Sequence, residues 1–181
     1  MPGLEESLHM SLHKQLAHKK AAICAKWFEA LTASYPADTA RFLKGTQDPF
    51  ANPVGQNSRQ SLETLLDLIL EEYNAEKAAA ALDVIIRIRA IQNFTPAQAV
   101  RFVFELKAII HSHAGAAAGE AQWRKAMTDI ENRIDVLAMA AFDIYVSCRE
   151  KIYELKANEV RSKTFKAFAR AGLIKEPSDE S

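Results

Sequence analysis

This sequence predicts an all-α, single-domain protein. The chain has 181 residues, the length of one ordinary domain, and 49% of them are hydrophobic. Only 6 glycines and 6 prolines occur, too few for a turn-rich β protein of this size. Apolar residues recur at intervals of three and four along most of the chain, which is the spacing of one helix face. We therefore expect a helical bundle that ends in a long C-terminal helix.

Two helices and a loop are predicted in the first third of the chain. Residues 4–35 begin with leucines at every fourth position and end before a proline, which cannot continue a helix interior. A short helix at residues 38–44 follows and ends at a glycine. Residues 45–57 are rich in Pro, Asn and Gly, and we expect Phe50 and Val54 to anchor this loop on the core. Long ordered loops often carry function, so this one is a candidate site.

Three helices are predicted in the middle of the chain, at residues 58–73, 75–93 and 96–113. Each has apolar residues at helical spacing. The second is apolar on most of its sides, so we expect it to be central. Thr95, followed by a proline at the first helical position, is a clear N-cap signal for the third.

The last helix is predicted at about residues 120–172. Its apolar residues follow a nearly heptad spacing, and we call them the heptad seam: Trp123, Met127, Ile130, Ile134, Leu137, Ala141, Ile144, Cys148, Ile152 and Leu155. One small bundle does not cover so long a helix, so we expect its end to project or to pack on another chain. We predict a homodimer formed through this seam. Residues 1–172 would form one domain, and residues 173–181 a polar tail.

The end of this helix is a predicted partner-binding segment. Residues 156–175 are basic, and Phe165 and Phe168 share a face there. We predict that these two rings, with Lys166 and Arg170, contact an unidentified regulatory protein. A solvated helix end, nucleic acid and lipid headgroups are the alternatives.

Overall charge and the two cysteines narrow the class of protein. The 23 basic residues balance the 23 acidic ones, whereas a general nucleic-acid or anionic-membrane binder needs a basic surplus. Cys24 and Cys148 lie in apolar helical patterns, which predicts two buried thiols in a reducing compartment; a redox pair is the alternative. No stretch approaches the ~20 apolar residues of a membrane span. We predict a cytoplasmic protein that binds neither nucleic acid nor membrane.

Arg89 is the first candidate ligand-binding residue. It lies among isoleucines, where a buried guanidinium needs a partner. We expect a structural ion pair with Glu105, Asp135 or Asp143. The alternative is an anion or carboxylate ligand inside the bundle.

Histidines supply the other candidate. His113 lies on an apolar helix face, where it can cap the helix C-terminus or, alternatively, ligate haem. His9 and His13 stand four residues apart, but no further ligand pattern supports a metal site, so we expect solvated histidines. No nucleotide-binding, nucleophile-elbow or zinc-finger motif occurs. We therefore predict a non-enzymatic protein, with no catalytic residue, metal or cofactor assigned.

Three stretches of the sequence resemble one known family. The first, residues 27–55, includes Trp27-Phe28 and Tyr35-Pro36 and ends in DPFANPVG; the second, residues 86–100, reads IRIRAIQNFTPAQAV; and residues 129–145 also fit. Together they resemble the N-terminal domain of RsbRD-type stressosome co-antagonists, a domain also found ahead of some histidine kinases. The resemblance covers about residues 15–160.

This resemblance implies a globin-like helical fold that generally does not bind haem, and a dimer formed through long helices. It also implies a signal-input role ahead of an output domain. No output-domain sequence follows the last helix here, so we expect a stand-alone regulatory or sensory domain that acts by protein–protein interaction. The alternative is a small-molecule or cofactor carrier with an internal pocket near Arg89 or His113.

Overall fold

Seven α-helices form the part of the chain that the computed structural model describes, residues 12–45, 50–92, 94–114 and 121–173, and no strand occurs there. The helices are α1 (Leu12–His18), α2 (Lys20–Ala33), α3 (Ala37–Gly45), α4 (Pro53–Leu70), α5 (Ala75–Ile91), α6 (Pro96–His113) and α7 (Ala121–Arg170). The predicted all-α class is confirmed. None of the described helices combines the length and the apolar character needed to cross a membrane.

The core lies where α2, α4, α5 and α6 meet the first half of α7. α7 packs against both α5 and α6, and α2 packs against α4 and α6. Trp27 on α2 is fully buried, and its indole Nε1 donates a hydrogen bond of 2.8 Å to the carbonyl of Phe102 on α6. Burial of such large rings dominates the stability of a core of this size.

The predicted first helix is two helices in the structure. α1 and α2 are separated at Lys19, whose backbone angles (φ −102°, ψ 9°) depart from the helical region. Leu12, Leu16, Ile23 and the apolar residues that follow are buried, so the predicted inward face is confirmed. Residues 4–11 of the predicted helix lie outside the described residues.

The predicted loop at 45–57 is shorter, because α4 begins at Pro53. Asn52 is buried and caps this helix: its side-chain oxygen accepts from the Gly55 N–H at 2.9 Å. Phe50 is 96% exposed, so its predicted anchoring role is wrong, whereas Val54 packs against the core. Residues 46–49 lie outside the described residues.

Asn52 also joins α4 to α3. Its amide nitrogen donates to the carbonyl of Leu43, at 3.0 Å, near the end of α3. The side chain lies so close to Gly55 that a Cβ atom there would stand 2.3 Å from the Asn52 amide nitrogen. A side chain at position 55 would therefore displace the Asn52 amide from this cap.

α6 begins as predicted, at Pro96, with Thr95 as its N-cap. The Thr95 hydroxyl accepts from the Gln98 N–H, and the Gln98 side chain accepts from the Thr95 N–H at 2.9 Å. This reciprocal capping box satisfies two N–H groups that the helix itself leaves unpaired. α5 ends at Ile91, slightly before the predicted position, and Asn93 is not among the described residues.

α7 has 50 residues and is about 75 Å long. Its heptad seam is buried from Trp123 to Ala141 against the same chain, mainly α5 and α6. The prediction that this part of the seam joins two copies is therefore wrong: a near-heptad spacing marks an apolar face without saying which chain covers it. Residues 153–168 are all exposed, which confirms that the end of the helix projects beyond the bundle.

Candidate functional site

Arg89 near the end of α5 is 1% exposed, the lowest value for a charged side chain among the described residues. Its guanidinium donates to the Ser34 hydroxyl at 2.7 Å and to the Gln98 carbonyl at 3.1 Å. A longer contact of 3.4 Å reaches the Leu31 carbonyl in the last turn of α2. Arg89 thus links the end of α2, the end of α5 and the start of α6.

Three aromatic rings surround this guanidinium. Its carbon lies 4.5 Å from the ring centre of Phe94, 5.3 Å from Tyr35 and 5.4 Å from Phe102. Cation–π attraction offsets part of the cost of removing the charge from water. Burial lowers the pKa of Arg89, but a guanidinium remains charged at neutral pH.

The predicted ion pair of Arg89 is not formed. Glu105 instead pairs with Arg101 at 2.9 Å, and Asp135 pairs with Lys107 at 2.7 Å. Asp143 is exposed on α7. Carbonyl, hydroxyl and ring groups take the place of a carboxylate, and the Arg89 Nε–H has no acceptor among the described residues.

A cavity of about 200 Å³ adjoins Arg89. We call it the Arg89 cavity. It is lined by Ala30, Ala33, Ser34, Arg89, Gln98, Arg101, Phe102 and Glu105. Its wall therefore combines two guanidinium groups and one carboxylate with an apolar surface of two alanines and a phenyl ring.

His113 lies at the other end of α6 and does not share this cavity. Its Nδ1 is 2.8 Å from the Ile109 carbonyl, so the His113 side chain contacts a carbonyl in the last turn of α6. This contact agrees with the predicted C-terminal capping role. Gln98, which touches Arg89, is separated from His113 by about 22 Å of helix. The structure thus places the two candidate ligand residues in different regions.

The other histidines form no metal cluster within the described ranges. His13 is half-buried on α1, whereas His9 lies outside those ranges. His111 joins α6 to α7, which its position in the sequence did not indicate. Its Nε2 lies 2.7 Å from the Glu131 carboxylate.

The two cysteines are free thiols in different surroundings. Cys24 is buried, as predicted, whereas Cys148 is half-buried. Burial raises the pKa of the Cys24 thiol to about 11. Because the thiolate is the reactive form, Cys24 is expected to be nearly inert at neutral pH.

Alkylation by iodoacetamide at pH 8 is therefore expected to modify Cys148 first, with Cys24 reacting more than about tenfold more slowly. The rates can be followed by mass spectrometry of the two tryptic peptides. In guanidinium chloride both thiols should react alike, which controls for local sequence. Equal rates in the native protein would contradict the burial of Cys24.

The exposed side of α7 carries an apolar row that the sequence analysis missed. We call these residues the outer stripe: Met139, Phe142, Val146, Tyr153, Val160 and Phe168. Their intervals of 3, 4, 7, 7 and 8 residues keep them on one side of an α-helix. Met139 is 63% exposed and Val160 is 64% exposed. The same periodicity search that found the heptad seam could have found this second row.

Phe104 adds an exposed apolar side chain on α6, level with the start of the outer stripe. The pairs Lys107–Asp135 and His111–Glu131 fix an antiparallel register between α6 and α7. In that register Phe104, which is 48% exposed, is level with residues 138 and 139 of α7. Apolar surface is therefore present on neighbouring helices.

The predicted partner-binding residues all lie on the projecting end of α7. Phe168 belongs to the outer stripe, and Phe165 is 42% exposed near it. Lys166 and Arg170 lie on another side of the helix, with Lys163. We call these three cations the basic edge. These three cations thus lie on another side from Phe165 and Phe168, whereas Arg161 lines the same groove as those rings.

Comparison with known proteins identifies the family. An uncharacterized protein from Archaeoglobus fulgidus is 27% identical over 104 residues, which are 56% of this chain. The chain spans 65% of that relative's length. No solved structure matches. A family model described as the RsbT co-antagonist protein rsbRD N-terminal domain matches residues 21–160. Because that match covers most of the chain, this protein belongs to the RsbRD N-terminal domain family, as its sequence motifs predicted.

Proposed function

We propose that this protein is a non-enzymatic signal-input domain that acts by protein–protein interaction. The observation that carries the proposal is the projecting end of α7, where residues 153–168 are exposed yet retain an ordered apolar row. Contiguous exposed apolar surface of this kind marks interaction sites in soluble proteins. Membership in a family described by a co-antagonist protein supports a regulatory role.

The partner that we propose for the outer stripe is a second copy of the chain. The stripe extends about 44 Å from Met139 to Phe168, a length of about four heptads. Two such helices packed side by side would cover the outer stripe of each copy. Phe104 of α6 would add to this contact. The self-association interface of this proposal is thus the outer stripe rather than the buried heptad seam.

The basic edge is the proposed contact for a separate regulatory protein. Of its three cations, Lys163 pairs with Glu159 at 2.6 Å, whereas Lys166 and Arg170 belong to no ion pair of the described residues. The positive charge that Lys166 and Arg170 leave on this edge favours a partner with an acidic surface and speeds its association at low salt. We place this activity in the cytoplasm, in keeping with the free thiols of both cysteines.

Self-association can be tested with one double variant and a matched control. Val160→Glu with Phe168→Glu places two charges in the outer stripe, whereas Asn158→Glu with Ser162→Glu adds the same charge on another side of the same exposed segment. Light scattering and sedimentation equilibrium from 1 to 100 μM would measure the dimer dissociation constant.

We expect a wild-type dimer that the stripe variant weakens about 100-fold or more, because a charge buried in an apolar interface costs several kcal/mol. The control variant should dimerise like the wild type. A wild-type monomer throughout this range would overturn the proposed dimer. Unchanged association of the stripe variant would overturn the proposed interface.

A further inference from the structure

We propose that the Arg89 cavity binds a small organic monocarboxylate. This inference concerns a surface that the proposed dimer contact does not use, so either proposal can fail without the other. It rests on three observations: the charge of the cavity lining, the unpaired Nε–H of Arg89, which is one of the lining residues, and the size and lining of the cavity.

The charge of the cavity calls for one negative group. Arg89 and Arg101 contribute two positive charges and Glu105 one negative charge, which leaves a net charge of +1 on the lining. No ion pair of the described residues includes Arg89. A singly charged anion would neutralise the cavity, whereas Glu105 would repel the second charge of a dianion such as phosphate.

The donor set of Arg89 is incomplete without a ligand. The Nε–H is buried and has no acceptor among the described residues, and the 3.4 Å contact to Leu31 is long for a hydrogen bond. An unpaired buried donor is costly, so native structures usually fill such positions. A carboxylate matches the planar geometry of a guanidinium and forms charge-assisted hydrogen bonds with it.

The size and lining favour a short aliphatic acid. A volume of about 200 Å³ is below the range of drug-sized pockets. Ala30, Ala33 and Phe102 provide apolar wall beside the guanidinium groups. A ligand with one carboxylate and a few carbon atoms satisfies both parts of this surface.

Propionate is a suitable probe, tested on the full chain. In ¹⁵N-edited NMR spectra, the Arg89 Nε–H signal is expected to shift saturably as propionate rises from 0.1 to 20 mM at constant ionic strength. The melting temperature should rise over the same range, because a ligand that binds only the folded state stabilises it. Propionamide, which has the same shape without the charge, should have neither effect.

A cavity-filling variant completes the test. Ala30→Leu occupies the cavity while keeping a strong helix former, and Ala22→Leu makes the same change at an exposed position of α2 outside it. We expect Ala30→Leu to weaken propionate binding at least tenfold and Ala22→Leu to leave it unchanged, with circular dichroism confirming that both variants fold.

Three results would overturn the proposal. The first is the absence of any saturable shift with propionate up to 20 mM. The second is equal binding of propionate by Ala30→Leu and the wild type. The third is an equal or stronger response to inorganic phosphate, which would assign the site to oxoanions in general.

Discussion

Replacing Asn52 with alanine is expected to lower the free energy of unfolding by about 2–4 kcal/mol, a large share of the stability of a single domain. The substitution removes the N-cap of α4, which typically contributes about 1 kcal/mol. It also removes the buried donor to the Leu43 carbonyl, and a buried group left without its partner costs a further 1–3 kcal/mol, roughly. Urea unfolding followed by circular dichroism at 222 nm would measure the change.

Asn74→Ala is the matched control for this prediction. Asn74 caps α5 through the equivalent hydrogen bond, with its side-chain oxygen 2.9 Å from the Lys77 N–H, but the residue is exposed and its side chain has no hydrogen bond to another helix within the described residues. Its loss should cost only about 1 kcal/mol. If the two variants lose equal stability, the contact between Asn52 and α3 contributes nothing, and the buried position of this cap has no energetic consequence.

Truncation after Leu155 is expected to leave the bundle folded while weakening self-association about 100-fold or more. The removed segment is exposed from residue 156 to residue 168, so its loss uncovers no core side chain. The free energy of unfolding should therefore change by less than about 0.5 kcal/mol, as for other surface changes. Val160 and Phe168, two of the six residues of the outer stripe, leave with the segment.

Both quantities can be measured on the same truncated protein. Urea unfolding should be recorded at a concentration where the wild type is monomeric, because dimer formation adds concentration-dependent stability. Sedimentation equilibrium would then give the dissociation constant. A truncated protein that unfolds at much lower urea would show that the end of α7 supports the core. Undiminished self-association would place the interface elsewhere on the molecule.

Two of the three stretches that carry the family resemblance have a structural explanation. In DPFANPVG, Asn52 caps α4 and holds α3, and Gly55 provides the space that this cap needs. In IRIRAIQNFTPAQAV, Arg89 packs on Phe94 and donates to the Gln98 carbonyl, while Thr95 begins α6. Each motif therefore joins two or more helices, and the second one also provides Arg89 and Gln98, two of the eight residues that line the Arg89 cavity.

Local signals in the sequence were sufficient to predict where most of the helices lie and which of their faces are buried. Thr95 with its following proline marks the start of α6 because a cap and a proline act within one turn. The apolar spacing of residues 123–141 identifies a buried face for a similar reason, since positions three and four apart lie on one side of a helix. Asn52 was missed as a cap because the prolines around it equally indicate a loop.

The tertiary structure alone decided what those faces and side chains contact. Arg89 meets Leu31 and Ser34, which are 58 and 55 residues away in the chain, and no sequence spacing distinguishes these carbonyl and hydroxyl groups from the carboxylates that were expected. From its spacing alone, the heptad seam could equally have joined two chains. In the structure α5 and α6 cover it up to Ala141. Periodicity determines that an apolar face is buried, because water is excluded from it whatever covers it. The identity of the covering element depends on the path of the whole chain.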